Sequence, residues 1–387
     1  MNSTHCHQDP FDAIDACMHC GLCIETCPTY RATGIESDSP RGRLHLMRAV
    51  HDGRLTDFDI KDSLQRCVQC HACESSCPSN VDYSGLLQQN LPQRFSIISR
   101  IVSNNSLMNI GGRLLRIITS FKLLTRSFKL LPERTQIYRS KQQIFPAQGE
   151  LREKVAVHLG CVERQIYGDV IDDLIAVFTN QGFELHFVEQ QYCCGAVSFH
   201  AGDYSGGISM AQKCGAQFSD FDSALSLSAG CSAHLQRHFT DVKFYDPLIY
   251  LAQFGLRDDL AAIKAKTIWM VPCHLKHLQD GWQDIATMLS TIPELELIEY
   301  ADSDLCCGAG GAAMLSQAQL SSQMGNAKAK CLAAAGPDKI LSSNSGCRIQ
   351  TDAHLRDIGA AQRTEHPLKL LRLALGVDEH PDGSDNR

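Results

Sequence analysis

The sequence predicts an α+β chain of several domains: a cysteine-rich N-terminal domain over residues 1–90, a basic helical connector over 91–150, and two tandem α/β domains over 151–265 and 266–387 related by duplication. Three observations lead there. The strings "CMHCGLCIETCP" at 17–28 and "CVQCHACESSCP" at 67–78 repeat one cysteine spacing in a turn-rich stretch. The next sixty residues hold no cysteine and are basic and apolar. Beyond them, cysteine landmarks recur at a nearly constant interval. At 387 residues the chain also exceeds what one hydrophobic core usually organises.

Bulk properties narrow the function classes. Nineteen cysteines is far above ordinary usage. No run of 18 apolar residues suggests a membrane span, and the N-terminus lacks the basic-then-apolar pattern of a secretory signal. The expectation is a cytoplasmic protein with reduced thiols, so metal ligation rather than a disulfide framework accounts for the cysteines. A formal net charge of −7 argues against general nucleic-acid binding.

Within the N-terminal domain the spacing C-x2-C-x2-C-x3-C-P occurs twice. Three cysteines two residues apart wrap one face of a compact cluster, and the fourth, before proline, reaches the neighbouring cluster in two-cluster ferredoxins. Cys17, Cys20, Cys23 and Cys77 are therefore assigned to one 4Fe-4S cluster, and Cys67, Cys70, Cys73 and Cys27 to the other. Zinc ribbons and disulfides are the competing explanations. Zinc sites usually need two CxxC pairs, not two runs of four thiols each closed by proline. Arg41 and Arg43, between the runs, are read equally as charge compensation or partner docking and as a solvated turn at a helix start. His19 and His71 are read as partly exposed and incidental, the alternative being hydrogen bonds to cluster sulfur. Cys6 belongs to a frayed terminus.

The connector carries eight Lys or Arg and one acid between positions 91 and 134, which leaves about −14 on the remainder. Near 113–131 the pattern suits an amphipathic helix with Arg113, Arg116, Lys122, Arg126 and Lys129 on a cationic face. Peripheral contact with the cytoplasmic face of the inner membrane is one reading, and a surface for a partner protein is the other.

The last two domains repeat each other. "HLGC" at Cys161 returns as "VPCH" at Cys273, "CCGA" at Cys193 as "CCGA" at Cys306, and "SAGC" at Cys231 as "NSGC" at Cys347, at offsets of 112, 113 and 116. The strings "KVAVHL", "FELHFVE" and "ALSLSA" read as strands, as do "TIWMV", "LELIEY" and "KILSSN" in the second copy. Helical periodicity lies between them, as in "VIDDLIAVFTNQG", which favours a helix-covered parallel sheet. Each cysteine landmark then follows a strand, and loops at the carboxyl ends of strands build the sites of open α/β sheets. Cys161, Cys193, Cys194 and Cys231 should converge, and so should Cys273, Cys306, Cys307 and Cys347. The bland alternative is that the paired cysteines are small buried hydrophobes. Cys214 and Cys331 are read that way, as packed residues within helices. His274 and His277 are read as surface residues, the alternative being support for Cys273. "GAGGAA" at 308–313 imitates a dinucleotide fingerprint, but no acid-ended second strand follows it. No flavin or nicotinamide signature stands elsewhere, so the electrons come from, or leave through, a separate flavoprotein.

The set Cys161, Cys193-Cys194-Gly195, Cys231 resembles the cysteine-rich CCG domain of heterodisulfide reductase, whose cysteines hold non-cubane iron–sulfur clusters and whose motif ends in CxxC. Here His234 and Gln350 stand at that last position. The resemblance implies a cluster held by four thiols, with His234 as a possible extra ligand in the first copy, or zinc in one copy. Along nearly the whole chain, two ferredoxin motifs followed by two CCG domains resemble the iron–sulfur subunit family of glycolate oxidase and anaerobic glycerol-3-phosphate dehydrogenase. "CPTYRATGIESDSPRGRLHLMRAVHDG" is closer to the former. The resemblance implies an electron-transfer role alongside an FAD-containing dehydrogenase subunit, with delivery of electrons to a quinone or another acceptor. D-lactate dehydrogenase and a thiol–disulfide reductase acting at the CCG sites are the other readings, and no catalytic residue is identified.

Overall fold

The computed structural model describes residues 14–91, 132, 135–257, 259–311 and 313–378. The cationic segment with Arg113, Arg116, Lys122, Arg126 and Lys129 lies outside the described residues, as does Cys6.

The N-terminal domain is a set of short helices, α1 (Leu22–Glu25), α2 (Pro28–Thr33), α3 (Pro40–His51), α4 (Asp57–Gln65), α5 (Ala72–Ser75) and α6 (Tyr83–Asn90). Its two cysteine strings fold alike. His19 and Gln69 take φ of 54° and 51°, and Gly21 and His71 take φ of 83° and 62°. The chain thus turns back around each string through left-handed residues before α1 and α5 begin. Ser39 caps α3 by accepting from the Gly42 amide, and Pro40 supplies a fixed φ at its first position. Ile60, Leu64, Met47 and Leu87 form a small apolar core under these loops.

The first α/β domain runs β1 (Ile144–Phe145), β2 (Glu153–His158), α7 (Cys161–Ile166), α8 (Gly168–Asn180), β3 (Phe183–Phe187), α9 (Ala196–His200), α10 (Tyr204–Gly215), β4 (Ser223–Ser226), α11 (Ala229–His238), β5 (Lys243–Tyr245) and α12 (Pro247–Phe254). The second repeats it as β6 (Ala265–Trp269), α13 (Cys273–Leu278), α14 (Trp282–Ser290), β7 (Leu295–Leu297), α15 (Ala313–Ser316), α16 (Ala318–Ala334), β8 (Lys339–Leu341), α17 (Ser345–Asp357), β9 (Thr364–Glu365) and α18 (Pro367–Ala374). The sheets order as β1-β3-β2-β4-β5 and β7-β6-β8-β9. Apart from β1, which pairs antiparallel with β3, every neighbour is parallel, so the two copies share one topology.

One expectation is corrected here. Residues 135–150, placed in the helical connector, contain no helix among those described. They run extended and supply β1, because Phe145 plugs into the core against Phe187 at 4.9 Å between ring centroids. An edge position also tolerates Pro146 immediately after the strand.

The two copies face each other about a pseudo-two-fold axis. Ser228 and Asn344 occupy equivalent positions after β4 and β8, and the Ser228 hydroxyl donates to Asn344 Oδ1 at 2.8 Å. The closing helix of each copy leaves its own domain and packs on the first long helix of the other, α18 on α8 and α12 on α14. Both closing helices begin alike, "DPL" at 246–248 and "HPL" at 366–368, with Asp246 and His366 accepting from the Leu248 and Leu368 amides.

The α18–α8 contact contains a buried ion pair, Arg372 Nε to Asp173 Oδ1 at 2.5 Å. Burial raises the Asp173 carboxyl to about 6 despite the guanidinium. Arg372→Met would strand that carboxylate, and breaking one side of a buried pair costs about 3–5 kcal/mol. An acid whose folded pKa lies above its unfolded value loses stability as pH rises through that interval. The melting temperature of the variant should therefore fall below that of the native chain, and fall further at pH 8 than at pH 5. A pH-independent deficit would remove Asp173 as its cause.

Candidate metal centres

Eight cysteines of the N-terminal domain line two adjoining clefts. Cys17, Cys20, Cys23 and Cys77 line the first, of about 450 Å³, with Cys73 in its wall. Cys27, Cys67, Cys70 and Cys73 line the second, of about 420 Å³. Each quartet draws three thiols from one string and one from the other. No carboxylate lines either cleft. Thiols without hard oxygen donors suit iron–sulfur ligation.

The surroundings of the second cleft differ from the sequence reading. Arg43 is no solvated residue: it is 1% exposed, and its Nε donates to the Ser63 carbonyl at 2.9 Å and its Nη2 to Thr29 Oγ1 at 3.1 Å. It lies 3.9 Å from Asp38. Burial opposes its charge, but Tyr83, Cys67 and Cys27 favour it, and the guanidinium stays protonated. The Cys67 thiol is pushed up by burial and drawn down by Arg43. Arg41 is half-exposed at the mouth of the first cleft and pairs with Glu36 at 2.9 Å. His19 is exposed, as expected. His71 is buried, with Nδ1 2.7 Å from Glu74 Oε2. Burial alone would raise Glu74; hydrogen bonds from His71 and from Ser84 hold it below the usual range.

In the first α/β domain the four expected cysteines gather at the carboxyl ends of β2, β3 and β4. Cys161 and Cys193 approach to 4.0 Å between sulfurs, and Cys194 and Cys231 to 3.1 Å. The pKa of Cys161 rises through its contact with Cys193 and through burial. In the second domain Cys273, Cys306, Cys307 and Cys347 line one cleft of about 360 Å³ together with Lys276, His277, Asp304 and Lys328. The Lys328 ammonium is buried, donates to the Ser303 carbonyl at 2.8 Å and sits 4.7 Å from the Tyr300 ring centre. Burial lowers its pKa while the neighbouring thiols pull the other way.

The glycine of each CCG string is required by contact as well as by conformation. Gly195 and Gly308 have φ of +88° and +84°, and a Cβ there would fall 2.3 Å from the Gly207 carbonyl oxygen or 2.9 Å from that of Ser321. The same two carbonyls account for the residue three positions after the last cysteine. His234 Nε2 donates to the Gly207 carbonyl at 3.3 Å, and Gln350 Nε2 to the Ser321 carbonyl at 3.0 Å. His234, expected as a possible extra ligand, braces α11 against α10 through Nε2, as Gln350 braces α17 against α16. Cys214 is fully buried in α10 and points at the Tyr192 carbonyl, and Cys331 is half-buried in α16, as packed residues should be. The "GAGGAA" loop owes its glycines to close packing: a Cβ on Gly310 would meet Val68, and one on Gly311 would meet His200.

Sequence reasoning missed a group of buried and half-buried histidines where the three domains meet. His274, read as a surface residue, has Nδ1 3.5 Å from Cys273 Sγ and Nε2 3.1 Å from His200 Nε2. His277, likewise read as exposed, is half-buried and hydrogen-bonded to Ser75 at 2.7 Å. The His71 ring lies 5.9 Å from that of His274. No local pattern announces the group, because its members come from three domains.

Among the described residues no helix is long and apolar enough to cross a membrane. Comparison with known proteins agrees with the geometry. The 4Fe-4S dicluster domain matches residues 13–81, and the cysteine-rich CCG domain matches 155–236 and 267–352. A probable glycolate oxidase iron-sulfur subunit of Bacillus subtilis is 24% identical, over 93% of this chain and 94% of its own length. The glycolate oxidase iron-sulfur subunit of Escherichia coli is 26% identical, over 94% of each chain. A fumarate reductase (CoM/CoB) subunit of Methanothermobacter marburgensis is 22% identical, over 94% of this chain and 73% of its own length. The chain belongs to the iron–sulfur proteins that join a 4Fe-4S dicluster domain to two cysteine-rich CCG domains, and along nearly its whole length it is similar to glycolate oxidase iron–sulfur subunits.

Proposed function

We propose that this chain is the electron-transfer subunit of a flavin-dependent 2-hydroxy-acid dehydrogenase complex of the glycolate oxidase type. An FAD-containing partner oxidises the hydroxy acid, and this chain carries the electrons singly toward a quinone or another acceptor. The observation that carries the reading is the pair of adjoining thiol clefts, each lined by a quartet crossing between the two cysteine strings. In this reading Cys17, Cys20, Cys23 and Cys77 hold one 4Fe-4S cluster, and Cys27, Cys67, Cys70 and Cys73 the other. The two CCG quartets hold further iron–sulfur clusters, or zinc in one copy. The clusters supply one-electron chemistry; the chain sets their order, their dryness and the charge around them.

A second reading rests on the cleft at Cys273, Cys306, Cys307 and Cys347, where two adjacent thiols line an opening beside Lys276 and Lys328. There, two electrons and two protons would reduce a disulfide to two thiols. Replacement of Cys306 and Cys307 separates the two readings: loss of disulfide reduction alone, with flavin-driven dye reduction intact, supports the second.

Iron and acid-labile sulfide in anaerobically purified protein test the first reading. About eight irons are expected from the N-terminal domain, from two four-iron clusters, and more if the CCG quartets also hold clusters. Cys77→Ser should remove the cluster of Cys17, Cys20 and Cys23 and spare the other, although Cys77 lies in the second string. Loss of the opposite cluster would reverse the assignment. Arg43→Gln should lower the midpoint potential of the Cys27/Cys67/Cys70/Cys73 cluster, because a buried positive charge beside it disappears. An unmoved potential in an assembled cluster would reduce Arg43 to a packing role.

The cationic segment supports peripheral attachment to the cytoplasmic face of the inner membrane. Neutralising Arg113, Arg116, Lys122, Arg126 and Lys129 should abolish sedimentation with anionic liposomes. Unchanged sedimentation would leave that segment as a partner surface.

A further inference from the structure

The two cysteine-rich sites have the same thiols but different neighbours. Cys70 packs in one buried cluster with Cys306, Cys307 and Cys347, and the partly buried Cys273 lies against it. Helix α5, which carries Cys73, touches α13, which begins with Cys273. The thiols of the first site are elsewhere: Cys194 and Cys231 pack in a cluster that holds no residue of the N-terminal domain.

The support behind the thiols differs as well. His274 follows Cys273 directly and brings Nδ1 to 3.5 Å from its sulfur. At the same place in the first copy, after Cys161, stands Val162, which has no polar side-chain atom. His274 Nε2 faces His200 Nε2 at 3.1 Å, where only one proton fits between the two nitrogens. His200 Nδ1 is buried and has no hydrogen-bond partner among the described residues. A bare nitrogen lone pair tolerates that environment better than a stranded N–H, a single donor with nowhere to go. His200 therefore carries its proton on Nε2 and donates it to His274. Neutral His274 then carries its own proton on Nδ1, aimed at Cys273. This tautomer is matched to a metal-bound thiolate, which accepts and cannot donate. The couple crosses the duplicated interface, since His200 belongs to the first domain. At the offset of the CCG repeat, Ala313 stands where the second copy would have its own His200.

We propose that the two cysteine-rich centres are unequal: the one at Cys273, Cys306, Cys307 and Cys347 takes electrons from the Cys27/Cys67/Cys70/Cys73 cluster, and His200, by fixing the tautomer of His274, raises its potential. The step is a transfer of one electron from the reduced cluster to the oxidised centre. No bond is made or broken and no proton moves. The added negative charge falls on sulfur that faces the His274 N–H dipole, so the reduced form is favoured. His200 and His274 are positioning residues. The proposal rests on the electron-transfer reading above and specifies its exit.

The test is an anaerobic redox titration of the full chain followed by electron paramagnetic resonance. A third centre is expected besides the two of the N-terminal domain, lost in Cys306→Ser and retained in Cys193→Ser. Its midpoint potential should fall in His274→Phe and in His200→Leu. It should return toward the native value in His200→Gln, whose amide again donates to His274, while the other two potentials stay put. A third centre that follows Cys193 rather than Cys306, or no third centre at all, overturns the inequality of the sites. A third centre with the native potential in both His274→Phe and His200→Leu overturns the role of the couple. In each case the N-terminal clusters still accept electrons from the flavoprotein; if they do not, the function proposed above is what fails.

Discussion

Sixteen thiols in this chain are brought together in groups, and a thiol must lose its proton to ligate a metal while burial resists the resulting charge. That conflict governs the architecture. Burial, with the charge of Cys273 added, drives the Cys70 thiol well above its ordinary value, and burial with the charge of Cys70 does the same to Cys73. At Cys193 the contact with Cys161 pulls downward, but contact with Cys194 and burial outweigh it and the thiol rises. Metal binding has to supply what solvent no longer does, so folding of these loops and assembly of the centres are coupled. The protein contributes what fixed charge and dipoles it can. Arg43 stands beside Cys67, Lys328 beside the second CCG cleft, and backbone amides of Gly195 and Gly308 point at Cys193 and Cys306 from 3.5 and 3.4 Å. Each of these groups is itself buried, so each was placed against a desolvation cost.

Duplication solves the placement of the CCG sites. One α/β unit brings three cysteine landmarks to the carboxyl edge of its sheet, and a second copy repeats the arrangement. The exchange of closing helices, α18 onto α8 and α12 onto α14, then prevents the copies from behaving as independent domains. Their shared apolar core runs from Phe145 through Ile175 to Leu371. With the copies locked, loops of both can present fixed surfaces to the N-terminal domain. Phe199 and Tyr204 of the first copy enter the core of that domain, and Val68 packs against the glycine loop of the second.

Much of this was legible in the sequence, and the boundary of legibility has a physical reason. The cysteine spacings are local and chemically specific, so the quartets could be written down from the strings alone. Strand–helix alternation with landmarks after each strand was enough to bring Cys161 to Cys193 and Cys273 to Cys306 across long stretches of chain. The closing-helix strings "DPL" and "HPL" were there to be found as another repeat, but carry no cysteine to draw attention. The burial of Arg43 and His71 and the half-burial of His274 were not legible, because they are imposed by contacts between distant parts of the chain. The same applies to the brace made by His234, whose Nε2 reaches a carbonyl on a different helix. β1 escaped because an edge strand of two residues has no periodicity to detect.

Repeated units that face each other across an axis begin with equal surroundings, and here a third body breaks the equality. The N-terminal domain has no internal partner of its own size, so it can press its second cysteine string against only one CCG site. Once Cys70 lies against the second site, that copy is held by demands that the first escapes. The residue after its leading cysteine is a hydrogen-bonding one, while Val162 is apolar in the first. The helix-end residue that reaches across the axis is His200, in the other copy. It is useful there only because the site it serves belongs to the other copy. Divergence of this kind costs the fold little, since His234 and Gln350 keep the same brace in both copies with different side chains. Geometry is preserved by the brace, and the electronic difference is carried by what stands behind the leading cysteine.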